Sequence, residues 1–319
     1  MKAKRKALAL LLICALLLGL SSTACEAPIS GEPDPIATPI AVELPELPNG
    51  TEVTPDTLIE TVDPTQAPET VEIWVEERLL VDRDGVKMTL ESVRREQGYY
   101  DFLVLIENDS GQPITVQTRD ASINGYMVNF TMSDTVAVGK KANCDFTVFD
   151  SDLQRCGITT IANLELRFYV FNAENFGDVF KTDIITIETN AAQGFTQSAP
   201  KTSQVLLEEQ GVKISLISKD ADPYYVGYRV WFLIENSGHE NITVAAEDDS
   251  VNGFAIPGLL FESILAGKSA VTSLSFPKDK LDEHGISIVE SIEFFVKINN
   301  NDTGALILQS ERIILNLAS

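Results

Sequence analysis

The two histidines are the side chains of this sequence with an ordinary pKa near neutral pH, so they are the first candidates for acid–base chemistry. His239 lies in a predicted turn, and His284 lies at the end of a predicted short helix. Neither lies near a plausible serine or cysteine nucleophile, which a catalytic dyad or triad requires. The sequence also has no glycine-rich phosphate loop. We therefore predict no catalytic residue and expect that the protein is not an enzyme.

Acidic side chains that are close in sequence are candidate metal ligands, because carboxylate oxygens suit hard cations. The run Asp82-Arg83-Asp84-Gly85 resembles the opening of a calcium loop, but the later ligands and the closing glutamate are missing, so it predicts a turn. Asp120 and the pair Asp248-Asp249 precede two Asn-Gly dipeptides and form either a weak calcium site or a solvated turn. No His or Cys cluster has zinc spacing. We expect no metal and no cofactor.

The segment directly before Cys25 has the three-part pattern of a bacterial export signal. A basic region at 2–6 precedes an apolar run of 14 residues at 7–20, which is roughly 21 Å as a helix against a bilayer core of about 30 Å. The segment Ser22-Thr23-Ala24-Cys25 resembles a lipobox, at which bacterial lipoproteins are cleaved and acylated on cysteine, although Ser22 departs from the usual aliphatic residue. The resemblance implies a signal peptide at 1–24, cleavage between Ala24 and Cys25, and a lipid anchor on Cys25. The alternative is ordinary signal-peptidase cleavage after Ala24.

The stretch that follows, residues 25–76, has the composition of a linker. Nine of the chain's 14 prolines lie in it, together with many Glu, Asp and Thr residues and no Lys or Arg. Proline removes backbone donors and fixes φ, and like charges repel, so neither a helix nor a central strand is expected. We predict a disordered, extended tether between the anchor and folded material.

Two copies of one domain follow, predicted at 77–190 and 203–319 with a short linker at 191–202. The copies share a register of 128 residues from position 108 to the C-terminus, and two extra residues lie in an early loop of the second copy, near Asp222-Pro223. The matched pairs are Ile106-Glu107-Asn108 with Ile234-Glu235-Asn236, Asn124-Gly125 with Asn252-Gly253, Gly139-Lys140 with Gly267-Lys268, and Gly157-Ile158 with Gly285-Ile286. Units of this size indicate a tandem of two domains.

The local pattern within each copy is typical of β-structure. Leu164, Leu166, Phe168 and Val170 alternate with polar residues, as a half-buried strand requires. Asp84-Gly85 predicts a hairpin turn, and Gly157 predicts the end of a short helix. The segment 102–106 is apolar on both faces. Trp231 lies in the corresponding segment of the second copy, at the position that matches Leu103, and we interpret it as a core residue. About eight short strands per copy, without crossover helices, predict an all-β chain of two tandem immunoglobulin-like β-sandwich domains.

Cys144 and Cys156 lie in the first copy only, since their register mates are Thr272 and His284. Outside the cytoplasm, the joint absence of both cysteines from the second copy favours a disulfide within the first copy. The other alternative is two buried free thiols.

Three motifs in the copies resemble those of an uncharacterised repeated domain in bacterial surface lipoproteins: Ile-Glu-Asn, the Ser-x-Asn-Gly turn, and Gly-Lys-Lys-Ala-Asn at 139–143. The resemblance covers both copies. It implies an exported protein with a tandem layout and brings no activity or binding residue with it.

The formal net charge of −23 argues against nucleic acid as a partner, because an acidic surface repels phosphate backbones. The expected function is a non-enzymatic binding or interaction module, anchored in the cell membrane by lipid and facing away from the cytoplasm. Its partner would be an envelope protein or a glycan. The alternatives are a structural envelope spacer and a hydrolase with an unrecognised site.

Overall fold

The computed structural model describes residues 72–222 and 227–317. The first repeat consists of ten strands and one short helix within this part of the chain. The strands are β1 (Arg78–Arg83), β2 (Val86–Glu96), β3 (Tyr99–Asn108), β4 (Ile114–Ile123), β5 (Tyr126–Met127), β6 (Ser133–Val136), β7 (Lys140–Phe149), β8 (Asn163–Asn172), β9 (Asp178–Lys181) and β10 (Ile185–Glu188). The helix α1 (Asp150–Arg155) joins β7 to β8.

The second repeat has the same order of elements. Its strands are β11 (Gln204–Glu209), β12 (Val212–Asp222), β13 (Gly227–Asn236), β14 (Ile242–Val251), β15 (Phe254–Ala255), β16 (Phe261–Ile264), β17 (Ser269–Phe276), β18 (Ser291–Asn300), β19 (Leu306–Gln309) and β20 (Ile313–Asn316). The helix α2 (Lys278–Glu283) joins β17 to β18. The connection from β12 to β13 is two residues longer than that from β2 to β3, which is the loop where the sequence register predicts the insertion.

Each repeat is built from two sheets. In repeat 1 the first sheet has the order β1-β2-β3-β7, and the second consists of β4 and β8 at its centre with β5, β6, β9 and β10 paired to them. Repeat 2 matches it, with β11-β12-β13-β17 as the first sheet and β14 and β18 at the centre of the second. A bridge between β5 and β17 joins the second sheet of repeat 1 and the first sheet of repeat 2 into one ten-stranded sheet. All pairings within a repeat are antiparallel, which short connections permit.

The core of each repeat lies between its two sheets and follows the alternation predicted from the sequence. In β8, the side chains of Leu164, Leu166, Phe168 and Val170 have no exposed surface, while the residues between them are partly exposed. The corresponding residues of β18, namely Ile292, Phe294, Val296 and Ile298, are equally buried. The prediction of an all-β chain with two tandem immunoglobulin-like sandwiches is confirmed for the described residues.

Two predicted turns are confirmed by their backbone conformation. Asp84 and Gly85, between β1 and β2, have φ angles of 52° and 77°. A Cβ on Gly85 would lie 2.8 Å from the backbone of Asp109, so a larger residue does not fit there. Gly157 after α1 has φ 66°, and the N–H of Ile158 donates to the carbonyl of Leu153 at 2.8 Å, which closes the helix as predicted.

The predicted signal peptide and most of the predicted linker lie outside the described residues, and so do Ala24 and Cys25. The last residues assigned to the linker, 72–76, contact repeat 1. Ile73 and Val75 are each 8% exposed, and the N–H of Asn190 donates to the carbonyl of Trp74 at 3.0 Å. None of the helices in the ranges 72–222 and 227–317 has the length and hydropathy to span a membrane.

Candidate functional site

The Asn-Gly turn between β4 and β5 is held by its asparagine side chain. Asn124 donates to the carbonyl of Thr160 at 2.7 Å and accepts from the N–H groups of Ala162 and Asn163 at 3.0 and 3.2 Å. A side chain with both a donor and an acceptor is needed to satisfy these groups together. The turn is therefore fixed against the loop that precedes β8.

The corresponding asparagine in repeat 2 makes the same three contacts. Asn252 donates to the carbonyl of Ile288 at 2.8 Å and accepts from the N–H groups of Glu290 and Ser291 at 2.8 and 3.0 Å. The recurrence of Asn-Gly in the sequence thus has a structural cause. The two turns differ in what surrounds them.

In repeat 1, the turn docks on repeat 2. The carbonyl of Gly125 accepts from the N–H of Ser269 at 2.9 Å, and Tyr126 pairs with Ser269 as a parallel bridge between β5 and β17. Tyr126 is only 8% exposed. Leu233 and Val271, from the outer face of the first sheet of repeat 2, are 3% and 5% exposed and belong to the core of repeat 1.

A half-buried ion pair borders this contact between the repeats. The Nζ of Lys268 lies 2.7 Å from a carboxylate oxygen of Glu165, and the two side chains are 16% and 24% exposed. Reduced solvent screening makes such a pair stronger than a fully exposed one, for which about 0.2–1 kcal/mol is usual. The pair links the two repeats at this contact.

Trp231 takes part in the same contact, which corrects its interpretation as a core residue of its own sandwich. Its side chain lies on the outer face of β13 and packs against the core of repeat 1, and its Nε1–H donates to Asp220 at 3.0 Å. The residues on either side, Val230 and Phe232, point inward and are at most 1% exposed. β13 is therefore apolar on both faces because the second repeat is covered from outside by the first.

A polar groove of about 350 Å³ lies beside this contact. Arg119, Asp120 and Arg155 line it from repeat 1, and Glu262 and Val271 line it from repeat 2. Burial raises the pKa of Glu262 above its ordinary value, against the opposing effects of a hydrogen bond to Thr272 and the positive charge of Arg155.

The charged groups of the groove are largely paired with their neighbours. Arg155 lies 2.6 Å from Asp152, and Arg167 lies 2.8 Å from Asp120. These pairs hold the charges in a structural role.

In repeat 2, the Asn-Gly turn is surrounded by exposed apolar side chains. Phe254, the counterpart of Tyr126, is 46% exposed, and Ile288, the counterpart of Thr160, is 69% exposed. The ring of His284 packs on that of Phe254 with centroids 5.1 Å apart. We call Phe254, His284 and Ile288 the free end of repeat 2.

The strand segment that continues from this end adds two further exposed apolar residues. Leu259 is 65% exposed and Phe261 is 76% exposed. Their counterparts in repeat 1 are the exposed polar residues Thr131 and Ser133. Leu259 pairs with Ser275 of β17 and Phe261 pairs with Ala245 of β14, so the two residues lie on different sheets of repeat 2.

Cys144 and Cys156 are both buried, and in the structure they are free thiols with no disulfide between them. The Sγ of Cys144 lies 3.9 Å from the carbonyl oxygen of Ala142 on its own strand, whereas the Sγ of Cys156 lies 4.0 Å from that of Met127. Burial raises the pKa of each thiol to about 11. The structure thus presents the buried-thiol alternative.

The acidic residues that were weighed as calcium ligands lie in β-bulges within strands. Asp120 in β4 and Asp248 in β14 have φ angles of 50° and 53°, at the places where the pairing with β8 and β18 shifts register. The carboxylate of Asp249 accepts from the N–H of Gly258 at 2.9 Å. In the described ranges, no group of three or more His, Cys, Asp or Glu side chains could hold a metal ion.

A second groove, of about 490 Å³, lies at the opposite edge of repeat 1, between residues 74–78 and residues 186–190. Trp74 borders it and is 53% exposed. Sequence reasoning missed this feature because Trp74 falls at the end of the predicted linker. A tryptophan after a proline-rich segment was the available signal.

No protein-family model matches the sequence, and no curated protein matches it. Solved structures with some similarity include the YadV chaperone, at 13% identity over 68% of this chain and 92% of that chain, with a TM-score of 0.21. A conserved domain protein from Bacillus anthracis covers 76% and 90%, at 13% identity and a TM-score of 0.27. A protein of unknown function from Porphyromonas gingivalis W83 covers 70% and 93%, at 10% identity and a TM-score of 0.20.

Proposed function

We propose that this chain is a membrane-anchored lipoprotein outside the cytoplasm that acts as a non-enzymatic interaction module. Its binding surface is the free end of repeat 2, formed by Phe254, His284 and Ile288. The repeat-1 surface around the equivalent turn already acts as a docking surface within the chain. The observation that carries the proposal is that the second such surface is also apolar and is left uncovered.

The energetics support a binding role for this end. Complete burial of a Phe or Ile side chain contributes about 1.5–3 kcal/mol, and Phe254 and Ile288 keep 46% and 69% of their surface exposed. The equivalent Tyr126 is 8% exposed because repeat 2 covers it. A partner that covered the free end in the same way would gain a comparable apolar contact.

The chemistry of the surface favours a protein partner over a glycan. Phe254 packs on the ring of His284, and the exposed side chain of Ile288 is apolar, so the surface has few groups for pairing with sugar hydroxyls. A protein surface with aliphatic residues at its centre and polar residues at its rim is complementary to it.

The test is site-specific photo-cross-linking in the cells that produce the protein. A photoreactive phenylalanine analogue in place of Phe254 should give one defined cross-linked product. The same analogue in place of Leu306, which is 57% exposed on β19 of the same repeat, is the matched control and should give none. Absence of any product at position 254 contradicts the proposal, and a change in envelope properties on deletion of the gene would then favour the spacer alternative.

The proposed anchor is tested separately. The lipobox-like segment that ends at Cys25 motivates it. Radiolabelled fatty acid should enter the wild-type protein and should not enter Cys25→Ala. Equal labelling of the two proteins would contradict the anchor and favour ordinary cleavage after Ala24.

A further inference from the structure

We propose that the partner of the free end is a second copy of this chain. The free end of repeat 2 in one molecule would dock on the outer face of the first sheet of repeat 1 in the next, in the way that repeat 1 docks on repeat 2 within the chain. This inference rests on the proposed function, because it names the partner of the same surface.

The contact between the repeats within the chain joins two unlike surfaces. Repeat 1 contributes the turn at Gly125 and Tyr126, whereas repeat 2 contributes a different surface, the outer face of its first sheet with Leu233 and Val271. Such a contact between unlike surfaces is heterologous and does not close on itself. It leaves one surface of each kind unused, at the free end of repeat 2 and on the first sheet of repeat 1.

The unused sheet face of repeat 1 has apolar residues at the positions that correspond to the centre of the contact between the repeats. Leu105 in β3 corresponds to Leu233, and Leu103 corresponds to Trp231. Both leucines point away from the core of their own repeat and are partly exposed. They would face the aromatic ring of Phe254, as Leu233 faces the turn of Tyr126.

Both members of the internal ion pair also have counterparts on the unused surfaces. Lys140 corresponds to Lys268 and is exposed, and Glu293 corresponds to Glu165. The backbone around the two lysines matches, since their N–H groups donate to the carbonyls three residues earlier, at 3.2 and 3.1 Å. Glu293 meets Arg312 only at 3.5 Å and its side chain is 34% exposed, so it is accessible to a lysine from outside.

Two positions on the unused sheet face are more polar than in the internal contact. Asn143 stands where repeat 2 has Val271, and Glu91 stands where repeat 2 has Ile217. Both residues are exposed, whereas Val271 is 5% exposed and Ile217 packs against the core of repeat 1. The contact between molecules is therefore weaker than the contact between repeats, and it forms where anchoring concentrates the chains on one surface.

The first test is thiol cross-linking between two tagged full-length chains expressed in the same cell. One chain carries Lys140→Cys and the other Glu293→Cys, since the ends of the equivalent side chains Lys268 and Glu165 lie 2.7 Å apart within the chain. Because two long side chains separate the backbones there, a short bis-maleimide reagent replaces direct disulfide formation, and it should give dimers that contain both tags. Each variant expressed alone, and the wild type, should remain monomeric. Absence of mixed dimers, or dimers of Glu293→Cys alone, would overturn the head-to-tail arrangement.

The second test uses photo-cross-linking at position 254 and measures the yield of the product that contains two copies of the chain. Glu293→Lys and Lys140→Glu should each lower this yield about fivefold, and the double variant should restore it, because it re-forms an ion pair of opposite orientation. The variant Glu91→Ile with Asn143→Val should raise the yield. Failure of the double variant to recover when both single variants lose yield would overturn the pairing.

The two tests separate this inference from the proposed function. A defined product at position 254 that contains another protein, with no mixed dimers from Lys140→Cys and Glu293→Cys, leaves the proposed function standing and overturns the inference. No product at position 254 overturns both.

Discussion

Replacement of Val271 by asparagine should weaken the contact between the repeats while leaving each sandwich intact. Val271 lies on the outer face of β17, is 5% exposed and packs into the core of repeat 1. Repeat 1 carries Asn143 at the equivalent position, where it is exposed. The same fold therefore tolerates asparagine in this strand position when no second domain covers it.

The expected cost follows from burial. Loss of the buried Val271 side chain removes about 1.5 kcal/mol of apolar burial, and an amide without partners in the same place costs about 1–3 kcal/mol. The sum is roughly 3 kcal/mol. With a slope of about 3 kcal/mol per molar urea, the unfolding midpoint should fall by about 1 M.

The chain has two tryptophans, which permits a direct assay. Trp231 lies in the contact between the repeats, and Trp74 lies against the opposite edge of repeat 1. In a Trp74→Phe background, the fluorescence of Trp231 should shift to longer wavelength at lower urea when Val271 is replaced by asparagine. Asn143→Val is the matched control and should change the unfolding free energy by less than about 0.5 kcal/mol. If Val271→Asn stayed within that same limit, the contact would not stabilise the tandem and the reasoning would be refuted.

Three further predictions concern single side chains. Burial raises the pKa of Asp249 in the folded protein above its ordinary 3.8, so the stability that its protonated form contributes is present below that value and is lost as pH rises through the raised pKa. Asp249→Asn should thus have a higher melting temperature than wild type at pH 7, with the difference closing towards pH 4, and equal temperatures at pH 7 would contradict this. Cys144 and Cys156 should react slowly with a thiol reagent at pH 8 in the native protein and give two free thiols after denaturation without reductant, whereas no thiols would indicate a disulfide. Asn236→Ala should cost roughly 3 kcal/mol in urea unfolding, because its amide donates to the carbonyls of Glu240, Ile264 and Leu265, and a loss below 1 kcal/mol would show that these bonds are replaced by water.

The alternation of residues and the shared register were enough to predict the long strands, the hairpin turn and the short helix. Each described repeat has ten strands where about eight were predicted, because strands as short as β5 and β15 leave no alternation to detect. They could not predict the contact between the repeats. In β13, Trp231 and Leu233 give the strand two apolar faces, which is also the pattern of a strand buried between the layers of one sandwich. Only the placement of the second domain shows that one of these faces belongs to an interface.

The bulges were missed for a different reason. Asp120 and Asp248 insert an extra residue into otherwise regular strands, and a positive φ at an aspartate has no signature in an alternating pattern. The sequence indicated a turn near each of them because Asn124 and Asn252 follow closely. The turn and the bulge are adjacent in each repeat.

The distribution of polar residues distinguishes a permanent contact from a reversible one. Within the chain, the two repeats are always together, and their contact is built on the buried residues Leu233 and Val271. Long-lived interfaces are generally the more apolar ones. The corresponding face of repeat 1 keeps Leu105 but replaces the valine by Asn143, which lowers the affinity without removing the complementary shape. A surface that must be soluble when empty and bind when covered requires this compromise, and Leu105 keeps part of its side chain exposed there. On this reasoning, the free end of repeat 2 and the sheet face of repeat 1 are the two halves of one interface.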